Sequence, residues 1–450
     1  MTKNLTINQR LNSNLFPVGV ATSSFQIEGA RDGREASIWD TFCATPGAVK
    51  DGSDGNIACD HFHRWQDDIE LVSLLGFDAY RFSVSWPRII KACGSVNQAG
   101  LAFYVDLLKA LKDKGLKAYV TLYHWDLPQY LEDKGGWLNR DTALAFADYV
   151  DVVSKAFNGY VDCYATLNEP FCSAYLGYEI GVHAPGKVGK QFGKKAAHHL
   201  LLAHGMAMQI LRRNAPDVTS GIVLNFTPYY ASTDSEADAA AAKLAHDHHN
   251  DWYVKPVLTG CYPDILHTLP ENEKPDIHDG DLALINAPMD YLGVNYYTRS
   301  FVTSCNNDGF SILPPAADTP VSAMGWEIFP NALRDLLLQL HRDYDLPPVQ
   351  ITENGMACDD ALINGEVADP VRVQYLQDHM NAVAEAMEAG VDVTAYFVWS
   401  LLDNFEWAEG YLKRFGIVYV DYDTQQRIPK RSALALQRWL TRRKASNGEM

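Results

Sequence analysis

Two patterns of hydrophobic and polar positions alternate along nearly the whole chain. Short runs rich in β-branched and aromatic residues are typical of strands. They begin near Phe16, Ala79, Lys117, Val161, Gly221, Tyr291, Val349 and Val393. Between them lie stretches with helical periodicity, such as residues 100–114 and 371–389. Several of these stretches end in a glycine that leads directly into the next strand, as a helix-closing left-handed residue would.

This alternation predicts the α/β class and a single (β/α)8 TIM barrel with long βα loops forming the active-site mouth. Neither a Ser/Gly-rich linker nor a shift in composition divides the chain. We therefore expect one catalytic domain over residues 1–450, with its core at about 16–440. Such barrels commonly need about 250 residues, so the surplus must lie in loops. Candidate insertions are residues 31–60, 302–326 and 357–370.

Composition narrows the range of partners and compartments. Hydrophobic residues make up 47% of the chain and charged residues 21%, which is enough for a large core and unlike a disordered protein. The formal charge of −18 disfavours nucleic acid and anionic membranes. The first fifteen residues lack the apolar core of a secretory signal, so we expect a cytoplasmic protein. Its eight cysteines form no C-x-x-C pair, so they are expected to be free thiols.

Polar and aromatic side chains occur together at nearly every predicted strand end. They are Gln26, Arg81, His124, Trp125, Asn168, Glu169, Asn295, Tyr297, Glu353, Trp399, Glu406 and Trp407. The carboxyl ends of barrel strands form the floor of the active site. Amides and carboxylates suit sugar hydroxyls and a flat indole suits a sugar ring, whereas a metal site would need convergent His, Asp and Glu. The pattern favours a sugar site with no metal and no organic cofactor.

Two strand ends carry a glutamate, in the segments VDCYATLNEP and PVQITENG. Pro170 disfavours the α conformation in the residue before it, so Glu169 is expected to be extended where the strand stops pairing. Adjacent strand residues face opposite ways. Asn168 and Glu169 can therefore both enter the site only through a bulge or an irregular strand end. Either glutamate alone could instead form a structural salt bridge, but Glu169 and Glu353 together suit acid–base chemistry.

Seven segments in order resemble glycoside hydrolase family 1, the retaining β-glucosidase and β-galactosidase group. They span about residues 16–432 and read FPVGVATSSFQIEGA, RFSVSWPRI, TLYHWDLPQ, TLNEP, GVNYYT, ITENG and WSLLDNFEWAEGY. A small departure is Ala395, where many members have glycine. The resemblance implies cofactor-free removal of terminal β-D-glucosyl residues, and of galactosyl and fucosyl residues. The implied substrates are cellobiose-like oligosaccharides and aryl or alkyl β-glycosides.

The resemblance also implies roles for the residues of the mouth. Glu353 would be the nucleophile and Glu169 the acid/base, with the two carboxyl groups about 5–5.5 Å apart as in retaining enzymes. Arg81 and Tyr297 would be partners of the nucleophile, and Asn295 a wall residue supporting the region around it.

The remaining residues would bind the substrate. Asn168 would contact the sugar 2-hydroxyl, Trp399 would lie beneath the ring, and Trp326 would face the aglycone. The other glycone contacts would be Gln26, His124, Trp125, Glu406 and Trp407. The alternatives are that His124 is a core histidine bonded to backbone and that the tryptophans are simple packing.

Three further interpretations remain. A 6-phospho-β-glycosidase would carry a small residue in place of Glu406, with a lysine and a tyrosine downstream. A non-catalytic sugar-binding homologue would show a damaged carboxylate pair, whereas this pair is intact. The histidines at 246, 248 and 249 lack the spacing of a zinc helix and are interpreted as a polar or capping helix face. Oligomeric state is left open by the sequence.

Overall fold

A computed structural model describes residues 5–13, 15–306 and 309–446. Eight strands close into a barrel, each paired with two neighbours. In chain order they are β1 (Val18–Ala21), β2 (Ala79–Ser83), β3 (Lys117–Thr121), β4 (Cys163–Asn168), β5 (Thr219–Phe226), β6 (Tyr291–Tyr296), β7 (Val349–Asn354) and β8 (Val393–Trp399). Each begins within two residues of its predicted position.

All neighbouring barrel strands are parallel, and β1 closes the ring by pairing with β8, Val18 opposite Tyr396. The strands are almost entirely buried because helices cover their outer faces and large side chains fill the interior. The predicted (β/α)8 barrel is confirmed.

Helices follow the strands and bury one apolar stripe each. The helix Gln98–Asp113 buries Phe103, Leu107, Leu108 and Leu111, at the three- and four-residue spacing that places side chains on one face. The other long outer helices are His61–Leu74, Asp141–Ala156, Lys190–Asn214, Glu236–His246, Trp252–Thr259, Pro330–Asp343, Pro370–Glu388 and Arg431–Ser446. Two of them begin with proline. Proline lacks a backbone N–H, and it suits the first helical position because an N–H there would have no partner within the helix.

The surplus length lies in βα loops, which carry short elements of their own. A three-stranded sheet joins Tyr229–Ala231, Ser300–Cys305 and Gly309–Leu313, and hairpins pair Leu362–Ile363 with Glu366–Val367 and Val418–Asp421 with Gln426–Pro429. Short α-helices are Ser24–Ile27, Ile38–Cys43, Trp86–Ile89, Gln129–Glu132, Ile265–Thr268 and Asp281–Ile285. π-Helical turns are Cys172–Glu179 and Asp247–Asp251, and 3-10 turns are Gln9–Asn12, Arg31–Gly33, Gly136–Leu138 and Trp407–Glu409.

The first strand is shorter than predicted. It ends at Ala21, so Gln26, which was expected at the strand end, lies instead in the short helix Ser24–Ile27. The chain leaves the barrel here because the Ser24 N–H donates to the Ser83 hydroxyl at 2.7 Å instead of continuing the ladder.

All eight cysteines are free thiols, as expected. Among the helices of the described ranges, none has the length and apolar character needed to cross a membrane.

Candidate active site

The carboxyl ends of the barrel strands open into a cavity of about 490 Å³. Ten of the predicted site residues line it: His124, Trp125, Glu169, Asn295, Tyr297, Trp326, Glu353, Trp399, Glu406 and Trp407. The other three, Gln26, Arg81 and Asn168, are fully buried behind this lining and hydrogen-bond to residues that form it. The structure therefore brings all thirteen into one site.

An irregular strand end places Asn168 and Glu169 together. The pairing of β4 with β5 slips between Ala165 and Asn168, which is the predicted irregularity. The prediction that Glu169 is extended is wrong, because its φ is 48°, in the left-handed region. Its N–H donates to the Val223 carbonyl of β5 at 2.9 Å, while the Asn168 N–H donates to the Tyr123 carbonyl on the β3 side. Opposite backbone partners let both side chains enter the site, at a conformational cost typical of functional positions.

Glu353 is held by two donors at the end of β7. Arg81 Nη1 donates to its Oε1 at 2.7 Å, and the Tyr297 hydroxyl donates to its Oε2 at 2.6 Å. The pairing of β7 with both neighbouring strands shifts register around this residue. The shift again interrupts the alternation of side chains between the two faces of the sheet. Glu353 and Arg81 are each only 2% exposed, so water screens their attraction little. This is the predicted pair of nucleophile partners.

Glu169 has weaker and uncharged partners. Asn295 Nδ2 donates to Oε1 at 2.8 Å, and the Cys172 thiol donates to Oε2 at 3.4 Å. Burial, followed by the charge of Glu353, raises the pKa of Glu169 to about 8. The two carboxyl groups thus occupy different environments, which is how enzymes give different roles to two neighbouring carboxyl groups.

Asn295 connects the two halves of the site. It pairs in register with Glu353, yet its amide donates to Glu169 and, at 3.1 Å, to Asn168 Oδ1. The predicted support for the nucleophile is indirect, because the Asn295 oxygen accepts from the Thr352 hydroxyl at 2.7 Å. Asn295 therefore contacts Glu169 directly, although the sequence analysis grouped it with Glu353.

The hydrogen bonds around Asn168 fix the tautomer of His124. Asn168 Oδ1 accepts from Arg81 and Asn295, so its Nδ2 must be the donor to His124 Nε2 at 3.2 Å. Burial and the charge of Arg81 hold the pKa of His124 well below its usual range. The ring is thus neutral and carries its proton on Nδ1, assigned here from the network. The second N–H of the Asn168 amide has no acceptor among the described residues.

Aromatic rings form the walls around these polar groups. The His124 ring stacks with Trp399 at 5.8 Å and with Trp407 at 6.0 Å between centroids, each at 17°. Trp125 lies 4.5 Å from Trp407 and donates from Nε1 to the Asn168 carbonyl at 2.9 Å. Trp326, on the far side, contacts Tyr297 at 5.6 Å. These rings give the cavity flat aromatic walls.

Glu406 projects into the cavity near Gln26. Gln26 Nε2 lies 3.5 Å from Glu406 Oε2 and also donates to the Phe405 carbonyl at 2.8 Å. Desolvation, followed by the charges of Glu353 and Glu169, raises the pKa of Glu406 to about 8. Glu169, Glu353 and Glu406 are three of the five glutamates that line the cavity, which makes a further negative charge unfavourable there.

Several lining residues were not singled out from the sequence. They are Phe171, Cys172, Leu176, His183, Tyr229, Ile312 and Phe415. A signal for Cys172 was present, since it follows Glu169 by three residues, one turn of a helix. The interpretation of the histidine segment as a polar or capping helix face is wrong for His249, which is buried against Phe171 and Tyr229.

A cavity at the carboxyl end of a (β/α)8 barrel, lined by Glu169, Glu353 and several indole rings, defines a carbohydrate-processing site. The family model of glycosyl hydrolase family 1 matches residues 9–447. The chain belongs to this family and is a glycoside hydrolase.

Individual relatives are similar over nearly their whole length. β-Glucosidase A of Thermotoga maritima is 44% identical over 422 residues, covering 93% of this chain and 95% of that protein. A bifunctional β-D-glucosidase/β-D-fucosidase of Bifidobacterium breve is 42% identical over 444 residues, covering 93% and 95%. The crystal structure of the family 1 β-glucosidase from Exiguobacterium antarcticum superposes with a TM-score of 0.93 at 42% identity, covering 96% and 99%.

Proposed function

We propose that this enzyme is a retaining β-glucosidase with Glu353 as nucleophile and Glu169 as acid/base. The observation that carries the proposal is the contrast between the two carboxyl groups. Arg81 and Tyr297 both donate to Glu353. Glu169 has only an amide and a thiol as donors, and its pKa is raised to about 8.

The proposed reaction has two steps. In the first, the protonated Glu169 gives its proton to the glycosidic oxygen, that oxygen leaves with the bonding electrons, and a Glu353 oxygen bonds to the anomeric carbon. In the second, the Glu169 carboxylate takes a proton from water, the water oxygen bonds to the anomeric carbon, and the bond to Glu353 breaks. Two inversions leave the sugar in its original β configuration.

The glycone contacts follow from the cavity walls. Trp399 would lie beneath the ring and the free N–H of Asn168 would bind the 2-hydroxyl. The other hydroxyls would be bound by Gln26, His124, Trp125, Glu406 and Trp407, with Trp326 on the aglycone side. We expect glucose, galactose and fucose to be accepted, and the bifunctional glucosidase/fucosidase relative supports fucose. The burial and the neighbouring carboxyl groups that raise the pKa of Glu406 would equally disfavour the charge of a 6-phosphate beside it, so phospho-sugars should be poor substrates.

We place the enzyme in the cytoplasm as one catalytic domain acting on small glycosides and cello-oligosaccharides. Eight free thiols suit a reducing compartment, and the charge of −18 disfavours nucleic acid and anionic membranes as partners.

The experiment is turnover of chromogenic β-glucoside, β-galactoside, β-fucoside and 6-phospho-β-glucoside, with the anomer released first identified by NMR. We expect β-glucose as the first product and little reaction with the phosphate. α-Glucose first would overturn the retaining mechanism, and a preference for the 6-phosphate would favour the phospho-glycosidase. No release from any substrate would support a binding protein.

A further inference from the structure

A second pocket lies outside the active-site cavity, beside the loop that follows β3. Its volume is about 480 Å³, and it is lined by that loop, by the helix Lys190–Asn214 and by the segment around His278. None of the residues that line it also lines the active-site cavity. We call it the lysine pocket, after Lys134 and Lys195.

Its two lysines are uncompensated cations in an acidic chain. The chain carries 38 Lys and Arg against 56 Asp and Glu, yet neither lysine forms an ion pair with a carboxylate of the described residues. Among the described residues that line the pocket, only Asp276 is acidic. Its side chain is 85% exposed and lies 3.0 Å from His278 Nε2, so solvent screens its charge. The pocket therefore favours an anion.

His199 presents a hydrogen-bond acceptor to the lysine pocket. Its Nδ1 lies 2.8 Å from the Trp137 carbonyl, which can only accept, so Nδ1 carries a proton. Burial lowers the pKa of His199, against the opposing effect of this hydrogen bond, so the ring is neutral and Nε2 is unprotonated. His199 is 9% exposed, and its Nε2 has no partner in the part of the chain that the structure describes. A bound ligand must supply an O–H or N–H to satisfy it.

The side of the pocket formed by Arg140 and His278 is fixed by Asp281. This carboxylate accepts from Arg140 Nη1 at 2.9 Å and from the His278 N–H at 2.8 Å, and it lies 3.0 Å from His198 Nε2. Asp281 is 3% exposed and does not line the pocket, so its charge acts inside the protein. The pocket is thus formed before any ligand arrives, which reduces the entropy lost on binding.

We propose that the lysine pocket binds hydrogen phosphate, an oxyanion that keeps an O–H at neutral pH. Lys134 and Lys195 donate to its charged oxygens, and its P–OH donates to His199 Nε2. Sulfate has no O–H at about pH 7.5, and neither has the dianion of a phosphate monoester, whose second pKa is about 6. Their oxygens would face the lone pair of Nε2 without a donor, so the pocket discriminates against both. The inference does not depend on the proposed β-glucosidase function.

The test is isothermal titration calorimetry of the enzyme with inorganic phosphate, sulfate and methyl phosphate, at about pH 7.5 and constant ionic strength. We expect saturable binding of phosphate at one site. The dissociation constants of sulfate and methyl phosphate should be at least about five-fold larger, the loss expected when an acceptor is left without a donor. Equal binding of the three anions, or no saturable binding of phosphate, would overturn the inference.

Variants locate the bound anion. Lys195→Gln and Lys134→Gln should each raise the phosphate dissociation constant at least about three-fold, because each removes a cation that donates to the anion. The control is Lys255→Gln, a half-buried lysine on the outer helix Trp252–Thr259 and outside the pocket lining, which should leave the constant unchanged. An unchanged constant in both folded pocket variants would contradict the assignment of the lysine pocket.

Turnover separates this site from the active site. All three variants should hydrolyse p-nitrophenyl β-glucoside at the wild-type rate, because none of the three lysines lines the active-site cavity. Loss of hydrolysis in folded Lys195→Gln and Lys134→Gln, with Lys255→Gln unaffected, would contradict a separate site. Absence of hydrolysis by the wild-type enzyme would remove the β-glucosidase function and leave the phosphate site standing.

Discussion

At the scale of single residues, what distinguishes the two glutamates is the set of donors around each. Glu353 accepts from a guanidinium and a phenol, whereas Glu169 accepts from an amide and a weakly donating thiol. Both are buried, so water screens these few contacts little and they set different surroundings for the two carboxyl groups. The different roles proposed for Glu353 and Glu169 thus follow from the residues around each of them.

The pH profile should report the state of Glu169. Its pKa is raised to about 8, and the first step needs its protonated form. Glu169 is protonated below this pKa and loses its proton as the pH rises through it. We therefore expect kcat/KM to fall on the alkaline side, near pH 8. Glu169→Ala should remove this alkaline limb. It should also slow alkyl glucosides far more than a dinitrophenyl glucoside, whose leaving group needs no proton. Equal losses on both substrates, with the limb retained, would move the acid/base role elsewhere.

Tyr297 should contribute through the orientation of Glu353. Tyr297→Phe removes the donor 2.6 Å from Oε2 while keeping the ring. Loss of a hydrogen bond to a buried charged group costs about 1–3 kcal/mol, so kcat/KM should fall about 5- to 150-fold. Tyr160→Phe, a partly exposed tyrosine outside the cavity lining, is the matched control. A loss under two-fold in Tyr297→Phe would show that the phenol does not position the nucleophile.

Glu406 should bind the end of the sugar that is remote from the cleaved glycosidic bond. Glu406→Ser should weaken reaction of the unphosphorylated glucoside by about 1–3 kcal/mol, because substrate hydroxyls lose a buried partner. It should also relax exclusion of the 6-phosphate, since one of the carboxyl groups that line the cavity is removed. Specificity constants measured for both substrates test this. Unchanged values for both would locate the discrimination on other residues.

At the scale of elements, the strands were predictable and their ends were not. Alternating apolar runs mark strand starts because the buried faces of a barrel require them, and all eight were found within two residues. The positive φ of Glu169 and the early end of β1 depend on pairing with Val223 and with Ser83, residues distant in the chain. The sequence around each strand end does not indicate these distant partners.

A buried ion network fixes the loop that follows β8. Arg372 donates to Asp360 and Asp369 at 2.7 and 2.5 Å, and Lys430 donates to Asp360 and Asp403, each at 2.6 Å. Asp403 lies three residues before Glu406, so the network holds the segment that carries this side chain. Removing one partner leaves buried charges uncompensated.

We therefore expect Arg372→Met to lower the free energy of unfolding by about 3–5 kcal/mol. Arg431→Met provides the control, because Arg431 and Glu366 form a 3.6 Å pair that is largely exposed, and such pairs contribute under about 1 kcal/mol. Denaturant unfolding of the three proteins measures both. Similar midpoints for wild type and Arg372→Met would contradict the stabilising role of the network.

At the scale of the whole molecule, the barrel gathers side chains that the sequence scatters over nearly its full length. Gln26, buried behind the cavity lining, reaches Glu406 because β1 and β8 are neighbours in a closed sheet. Site membership could be predicted from strand ends and family resemblance, since all thirteen residues converge. The contribution of Ile312 could not, because it reaches the cavity through a sheet built from two separate loops. Nothing in its local pattern indicates that position.

The most direct test of the central assignment is azide rescue of Glu353→Ala, with the glycosyl azide product identified by NMR. The small anion should occupy the vacated space, attack the β-glucoside in a single displacement and give the α-glucosyl azide. In Glu169→Ala with an activated substrate, azide should instead attack the sugar bound to Glu353 and give the β-glucosyl azide. These opposite anomers are the result expected if Glu353 is the nucleophile. A β-azide from Glu353→Ala, or an α-azide from Glu169→Ala, would contradict the account.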